Sequence, residues 1–217
     1  LLFALAVTAA TALLLSAASG WRALRPEIPD SLRSGSRGQG GRAAVRFQGG
    51  EPTQLPVPDA TFDVAVSVQV FEYIAEVDAA IREALRVLKP GGRAVIVATD
   101  WNSMLWHSED PERMRRILFA LEEHCFYSNL PRTLGARLRR AGFADVRPMV
   151  LPQFNPVLSP DTYSFHDILV ISSFVPGRRG VTAAEVAAWA QELRQLGERG
   201  QYFFCVNQYL FQARKPR

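Results

Sequence analysis

The stretch FDVAVSVQVFEYIAEVDAAIREALRVLKPGGRAVIVATD, residues 62–100, decides the fold. Its opening, FDVAVSVQV (62–70), is rich in valine and too continuously apolar for a strand with one wet face. The period then changes. Ile74, Val77, Ile81, Ala84, Leu85 and Leu88 recur at helical spacing and predict an amphipathic helix over 74–88. KPGG (89–92) supplies the stop, since proline and glycine end helices with turn geometry. RAVIVATD (93–100) is a second apolar strand. Strand, helix, turn and strand in this order predict a parallel sheet covered on both faces.

The same pattern continues on either side. AVRFQG (44–49) is a short strand upstream. Downstream, a helix is predicted over 111–123, with Pro111 in its first turn. A second, over 130–143, is ended by Gly142, and ADVRPMVLP (144–152) follows as a strand. Helices over 161–174 and 182–196 come next; Thr182 as N-cap and Glu185 three residues on form a capping box. GQYFFCVNQYLFQARK (200–215) closes the chain as a long strand.

A chain of 217 residues is long enough for one domain with a full core. We divide it into an apolar segment (1–19), a Gly/Pro/Arg-rich linker (20–44) and a folded domain (45–217). Residues 1–19, LLFALAVTAATALLLSAAS, carry no charge. Three readings suit them: a membrane anchor, the apolar part of an export signal, or a helix packed on the domain. In the linker, GSRGQGG lacks the strand before it and the helix after it that a phosphate-cradling loop needs. The chain does not begin with Met, which fits a fragment or a processed chain.

The net charge of +4 is unevenly placed. Residues 1–47 hold six arginines (22, 25, 33, 37, 42, 46) against Glu27 and Asp30, a balance of +4. The rest holds 25 − 6 = 19 basic and 21 − 2 = 19 acidic residues, a balance of zero. A folded part without a basic stripe argues against nucleic acid as its partner. Cys125 and Cys205 are far apart with no ligand-type neighbours, and read as free thiols rather than as a disulfide or metal site.

GGEPTQLPVPDATFDVAVSVQVFEYI (49–74), EALRVLKPGGRAVIVATD (83–100), LRRAGFADVR (138–147) and the terminal aromatic strand together resemble the class I S-adenosylmethionine-dependent methyltransferases. The nearest type is the ubiquinone and menaquinone methyltransferases. The resemblance covers about 45–217 and implies an α/β, Rossmann-like, doubly wound, mostly parallel sheet with an antiparallel C-terminal strand. It implies S-adenosylmethionine as cofactor, a small organic methyl acceptor as partner, and a cytoplasmic catalytic domain unless residues 1–19 anchor or export it. Carried over position by position, Glu51 is the acid that accepts the adenine amino group, with Pro52 beside it. Ser67, Val68, Gln69 and Glu72 lie along the methionine part. Asp100 and Trp101 edge the acceptor pocket. Trp106, Tyr163 and Tyr202, as aromatics, are further candidates for its lining, with core packing as the alternative.

Two departures stand out. Pro52 has no backbone N–H to give to the adenine ring. No D-x-G-x-G-x-G loop precedes residue 45, so the N-terminal part of the pattern is incomplete. Methyl transfer draws most of its rate from positioning and needs no conspicuous catalytic group. Where the acceptor must lose a proton, His107 and His166 are the candidate bases, while His124 reads as a helix-end cap. The competing reading is a degenerate, non-catalytic binding or scaffold domain of the same fold.

Overall fold

The computed structural model describes residues 2–6 in their backbone and residues 49–217 in full. Its strands are β1 (Leu2–Ala6), β2 (Phe62–Val68), β3 (Leu88–Trp106), β4 (Ala144–Asn155) and β5 (Phe204–Arg214). Its helices are α1 (Val77–Val87), α2 (Pro111–Leu121), α3 (Pro131–Ala141), α4 (Tyr163–Phe174) and α5 (Ala183–Glu198). The strands form one sheet in the order β1-β2-β3-β5-β4. β1, β2 and β3 run parallel, while β5 lies antiparallel between β3 and β4. The expected α/β sheet, mostly parallel with an antiparallel last strand, is therefore the observed one.

Two apolar clusters hold it. α1 and α3 set Ile81, Val87, Leu134 and Leu138 against Ala94 and Ile96 of β3 and Phe211 of β5. α2, α4 and α5 build a second cluster around Trp106, Trp189, Phe204 and Val206, at the far ends of β3 and β5. The cap expected at Thr182 is present as a full capping box. Gly142 ends α3 in the left-handed conformation, φ 107°, as a C-terminal glycine should.

α1 starts at Val77 rather than at residue 74. A single 3-10 turn, Phe71–Tyr73, occupies the space between, and Ile74 is extended. Within KPGG, Gly91 has φ +78°, and a Cβ on Gly92 would sit 2.8 Å from the Lys89 carbonyl oxygen. Only glycine permits that approach, which lets β3 begin directly beneath α1.

Residues 2–6 correct the helical reading of the apolar N-terminal segment. They form a strand in register with β2, from Leu2↔Val64 to Ala6↔Val68. A short apolar run does not distinguish strand from helix by period alone, and pairing with an apolar neighbour decides it here. The remainder of the 1–19 segment, the linker with GSRGQGG, and AVRF of the first strand candidate lie outside the described residues. Among the described residues no helix is long and apolar enough to cross a membrane.

Two details of the sheet matter below. Between Asp100↔Asn207 and Leu105↔Cys205 the β3 register slips, so Trp101–Met104 bulge out of the ladder. Ser103 pins this bulge: its Oγ donates to the Asp100 carbonyl oxygen at 2.7 Å and accepts from Asn207 N–H at 2.9 Å. At the sheet's edge, β4 is largely exposed and carries Pro148 and Pro152.

Candidate functional site: a buried polar cluster beyond the carboxyl end of β2

The loop before β2 is built around one arginine. Glu51 opens a turn in which Gln54 N–H donates to its carbonyl oxygen at 2.9 Å. Pro52 occupies the second position of that turn, where its fixed φ is favourable. Arg86 on α1 then clamps the segment: it donates to the carbonyl oxygens of Leu55 (3.2 Å) and Val57 (2.9 Å) and to Glu83 and Asp59. Glu83, held below the usual carboxylate range by Arg86, accepts Leu55 N–H at 2.6 Å. Replacing Arg86 by Met leaves Glu83 buried without its cation. We expect a loss of about 2 kcal/mol, on the scale of a charged hydrogen bond. Urea unfolding would measure that loss, and faster amide exchange confined to residues 54–61 would locate it.

Glu51 itself is exposed. Pro52 and Ser67 line a small cavity of about 30 Å³ between β2 and α1. The Ser67 hydroxyl is buried with no partner among the described residues. Val68, at the end of β2, is 37 % exposed. The next residue, Gln69, takes a left-handed backbone, φ +52°, which costs a non-glycine residue and so marks a position fixed by its surroundings. Its carboxamide supplies the reason. Nε2 donates to Thr99 Oγ1 at 2.7 Å and to the Tyr163 hydroxyl at 2.8 Å, tying β2 to β3 and α4.

Beyond Gln69 the chain turns inward at Glu72, which is fully buried. One carboxylate oxygen accepts Thr99 N–H at 2.6 Å, and the other has no partner among the described residues. Burial raises the pKa of this carboxyl from 4.5 to about 7. Around it stand further orphans: the Tyr73 hydroxyl, Trp101 Nε1, His124 Nε2 and Asp167 Oδ2. His124 links them, packing edge-on to Trp101 at 4.7 Å and to Tyr73 at 5.7 Å between ring centroids. Its Nδ1 lies 2.6 Å from the Leu121 carbonyl oxygen, which only accepts, so Nδ1 carries the proton. Burial drops its pKa to about 4, leaving Nε2 as a bare acceptor at neutral pH. Asp167 approaches from α4, and burial pushes its carboxyl well above the ordinary range. Burial first, then the nearby Glu72, Cys125, Tyr163 and Asp167, keeps the Tyr73 hydroxyl protonated. Buried polar groups without partners are rare, and these call for an explanation.

The expected site residues divide between this cluster and its surroundings. Gln69, Glu72, Trp101 and Tyr163 come together in it. Asp100 is buried beside it, with its carboxylate taken by Arg132 in a two-pronged pair at 2.9 and 3.1 Å. Trp106 lies deeper, buried against Trp189 and Phe204, and its indole N–H is spent on the Tyr202 hydroxyl at 2.8 Å. Together with Trp101 and His107 it borders an apolar groove of about 770 Å³ between the β3 bulge and α2. His107 is exposed at that groove. His166 is exposed on α4, with Nδ1 at 3.0 Å from the Thr162 carbonyl oxygen. Neither histidine is among the groups gathered around Glu72.

Sequence reasoning did not single out Asp167 or Thr99, and saw only the capping half of His124. Asp167 had a signal. It falls four residues after Tyr163, on the face of α4 that buries Ser164, Ile168 and Ile171. An acid on the apolar face of a helix is costly unless something uses it. The two thiols, Cys125 and Cys205, are free and half-buried, as expected. Among the described residues no cluster could hold a metal ion.

Comparison with known proteins adds a second line. Residues 7–96 match the family model described as a methyltransferase domain. A ubiquinone/menaquinone biosynthesis C-methyltransferase of Caulobacter sp. (strain K31) is 44 % identical over 55 residues, 25 % of this chain and 22 % of that protein. Norajmaline N-methyltransferase of Rauvolfia serpentina is 32 % identical over 75 residues, 35 % of this chain and 26 % of the relative. The chain thus spans about a quarter of the length of these curated relatives. Among solved structures, the YcgJ protein of Bacillus subtilis matches 81 % of this chain and 73 % of its own at 23 % identity, with a TM-score of 0.48.

Proposed function

We propose that this chain, whose residues 7–96 match the methyltransferase-domain model, binds S-adenosylmethionine and transfers its methyl group to a small organic acceptor. The observation that carries this reading is where the polar cluster lies. In open α/β sheets ligands bind outside the carboxyl ends of the parallel strands. There Gln69 holds a left-handed turn tied to α4, and Glu72 is buried with one oxygen unpartnered among the described residues.

The residues on the β2 side fit the cofactor. Ser67 offers a buried hydroxyl without a partner among the described residues, Val68 an exposed apolar surface, and Glu51 an exposed carboxylate able to accept from an adenine amino group. Bound there, S-adenosylmethionine supplies an electrophilic methyl group on a sulfonium. The chain's own part is to hold and orient. Gln69 fixes the distance between β2, β3 and α4, while Tyr73, Trp101 and Tyr163 wall the acceptor side. Pro52 gives the loop its turn at the expense of a donor to the adenine ring.

Isothermal titration with S-adenosylmethionine tests the reading. We expect one saturable site, weakened about five- to tenfold by Glu51→Gln, which is about 1–1.4 kcal/mol. Pro52→Ala, which restores an N–H, tightens it. Absence of saturable binding up to millimolar cofactor would overturn the proposal for this chain.

A further inference from the structure

Arg93, Arg147 and Arg214 bring three positive charges to one cavity of about 260 Å³ on the sheet. Arg93 on β3 and Arg214 on β5 are register partners, so two like charges stand directly opposite each other. Such pairs destabilise a sheet. Arg86, Arg113, Arg132 and Arg137 are each paired with an acid. Arg93, Arg147 and Arg214 have no ion pair and no side-chain hydrogen bond among the described residues. Asp145 is the one acid among the described residues that line the cavity, so three cations against one anion leave it at +2. The backbone of β4 is bent to bring Arg147 there. The pairs Ala144↔Arg214 and Arg147↔Gln212 set three steps on β4 against two on β5, a bulge at Asp145 and Val146. Asp145 takes a left-handed backbone, φ +52°, which costs a non-glycine residue. Regular pairing would put Val146 opposite Gln212. The bulge instead leaves Val146 packed on the apolar cluster beneath α3 and turns Arg147 to the face of Arg214.

We propose that this cavity binds the phosphate group of a phosphomonoester whose body is apolar. A phosphomonoester offers three terminal oxygens and about two negative charges at neutral pH, which matches three guanidinium groups and a net +2. A carboxylate occupies one guanidinium fork and leaves two cations facing each other. Val64 and Val95 give the cavity an apolar floor. The next pair on the same face, Met149↔Leu210, extends that floor, and Met149 is exposed there. The ester's body lies along these side chains. Arg93 precedes Thr99 by six positions on β3, roughly 20 Å of strand, so the site is separate from the cluster around Glu72 and independent of the methyl-transfer reading.

The test titrates phenyl phosphate and benzoate separately into the full chain, in phosphate-free buffer, by calorimetry. We expect phenyl phosphate to fill one saturable site about tenfold more tightly than benzoate, with inorganic phosphate competing. Arg147→Gln and Arg214→Gln should each weaken it about tenfold. Urea unfolding without ligand gives a readout that a structural role would move the other way. Arg93→Gln relieves an unbalanced repulsion, so its midpoint should equal or exceed that of the wild type, while phenyl phosphate should raise the wild-type midpoint. A second arm uses phosphatidylcholine vesicles with and without phosphatidic acid. Arginine-dependent binding to the phosphatidic acid vesicles alone assigns the phosphate to a lipid head group. Binding of phenyl phosphate with no preference between vesicles assigns it to a soluble ester. Both uphold the site. No saturable binding in either arm, equal affinity for benzoate, binding unchanged in both arginine variants, or a lower unliganded midpoint in Arg93→Gln would overturn it.

Discussion

Replacing Glu72 by Gln is expected to flatten the pH dependence of stability and to stabilise the chain above neutrality. The Glu72 carboxyl has a raised pKa, about 7 against an ordinary 4.5, because burial penalises its charged form. Between those values the folded state holds a proton that the unfolded state has released. Stability from this group is therefore fully present below about pH 4.5 and is lost as pH rises through 7. At about 1.4 kcal/mol per pKa unit, the loss is on the order of 3 kcal/mol. Asp167 contributes with the same sign. The substituted carboxamide would keep an acceptor for Thr99 N–H and carry no charge to bury. Urea unfolding at pH 5 and pH 8 measures both proteins. The wild type should lose several kcal/mol between the two, and the variant distinctly less; parallel curves would show that Glu72 does not titrate in this range.

The second large effect is at Trp106. Its side chain is 2 % exposed, packed against Trp189 at 5.5 Å and Phe204 at 4.5 Å between ring centroids, with its N–H on Tyr202. Trp106→Ala removes a large buried ring and opens a cavity, which costs about 3–5 kcal/mol. Trp106→Phe fills most of the space but takes one hydrogen bond from the Tyr202 hydroxyl, which keeps Ser164, at about 1 kcal/mol. Denaturant midpoints would rank the two variants. Trp106 was expected from sequence to line the acceptor pocket. If that were its main role, Trp106→Phe would reduce binding of the acceptor while leaving the midpoint unchanged. We expect the opposite.

Trp106 also shows where sequence reading stops. The parallel sheet, the order of its elements, the capping box at Thr182 and the stop at KPGG follow from period, propensity and turn chemistry, all local properties. The site is not local. Glu72 and Thr99, distant in sequence, meet because β2 ends beside Val97, well before the end of β3, while His124 and Asp167 reach the neighbouring Tyr73 from the turn after α2 and from α4. Trp101 and Trp106, five positions apart in sequence, would face opposite sides of a regular strand; the bulge at Trp101–Met104 breaks that alternation, and both fall in the same apolar cluster. His107 and His166 drew notice for their chemistry. Burial, which sets the chemistry of His124 instead, depends on contacts with Tyr73, Trp101 and Phe174 that no periodicity announces.

The prolines of β4 have an effect outside this chain. Pro148 and Pro152 are opposite Phe211 and Asn207 of β5, four positions apart and therefore alike in the direction their nitrogens face. A proline nitrogen turned toward β5 would break the ladder, so both face outward. Each withholds a hydrogen-bond donor from anything that approaches this edge. A visiting strand would find two gaps in a twelve-residue row, too many for stable main-chain pairing. Growth of the sheet past β4 is blocked, by another copy or by an extended peptide, and contact on this side is left to side chains such as Met149, Val150 and Phe154.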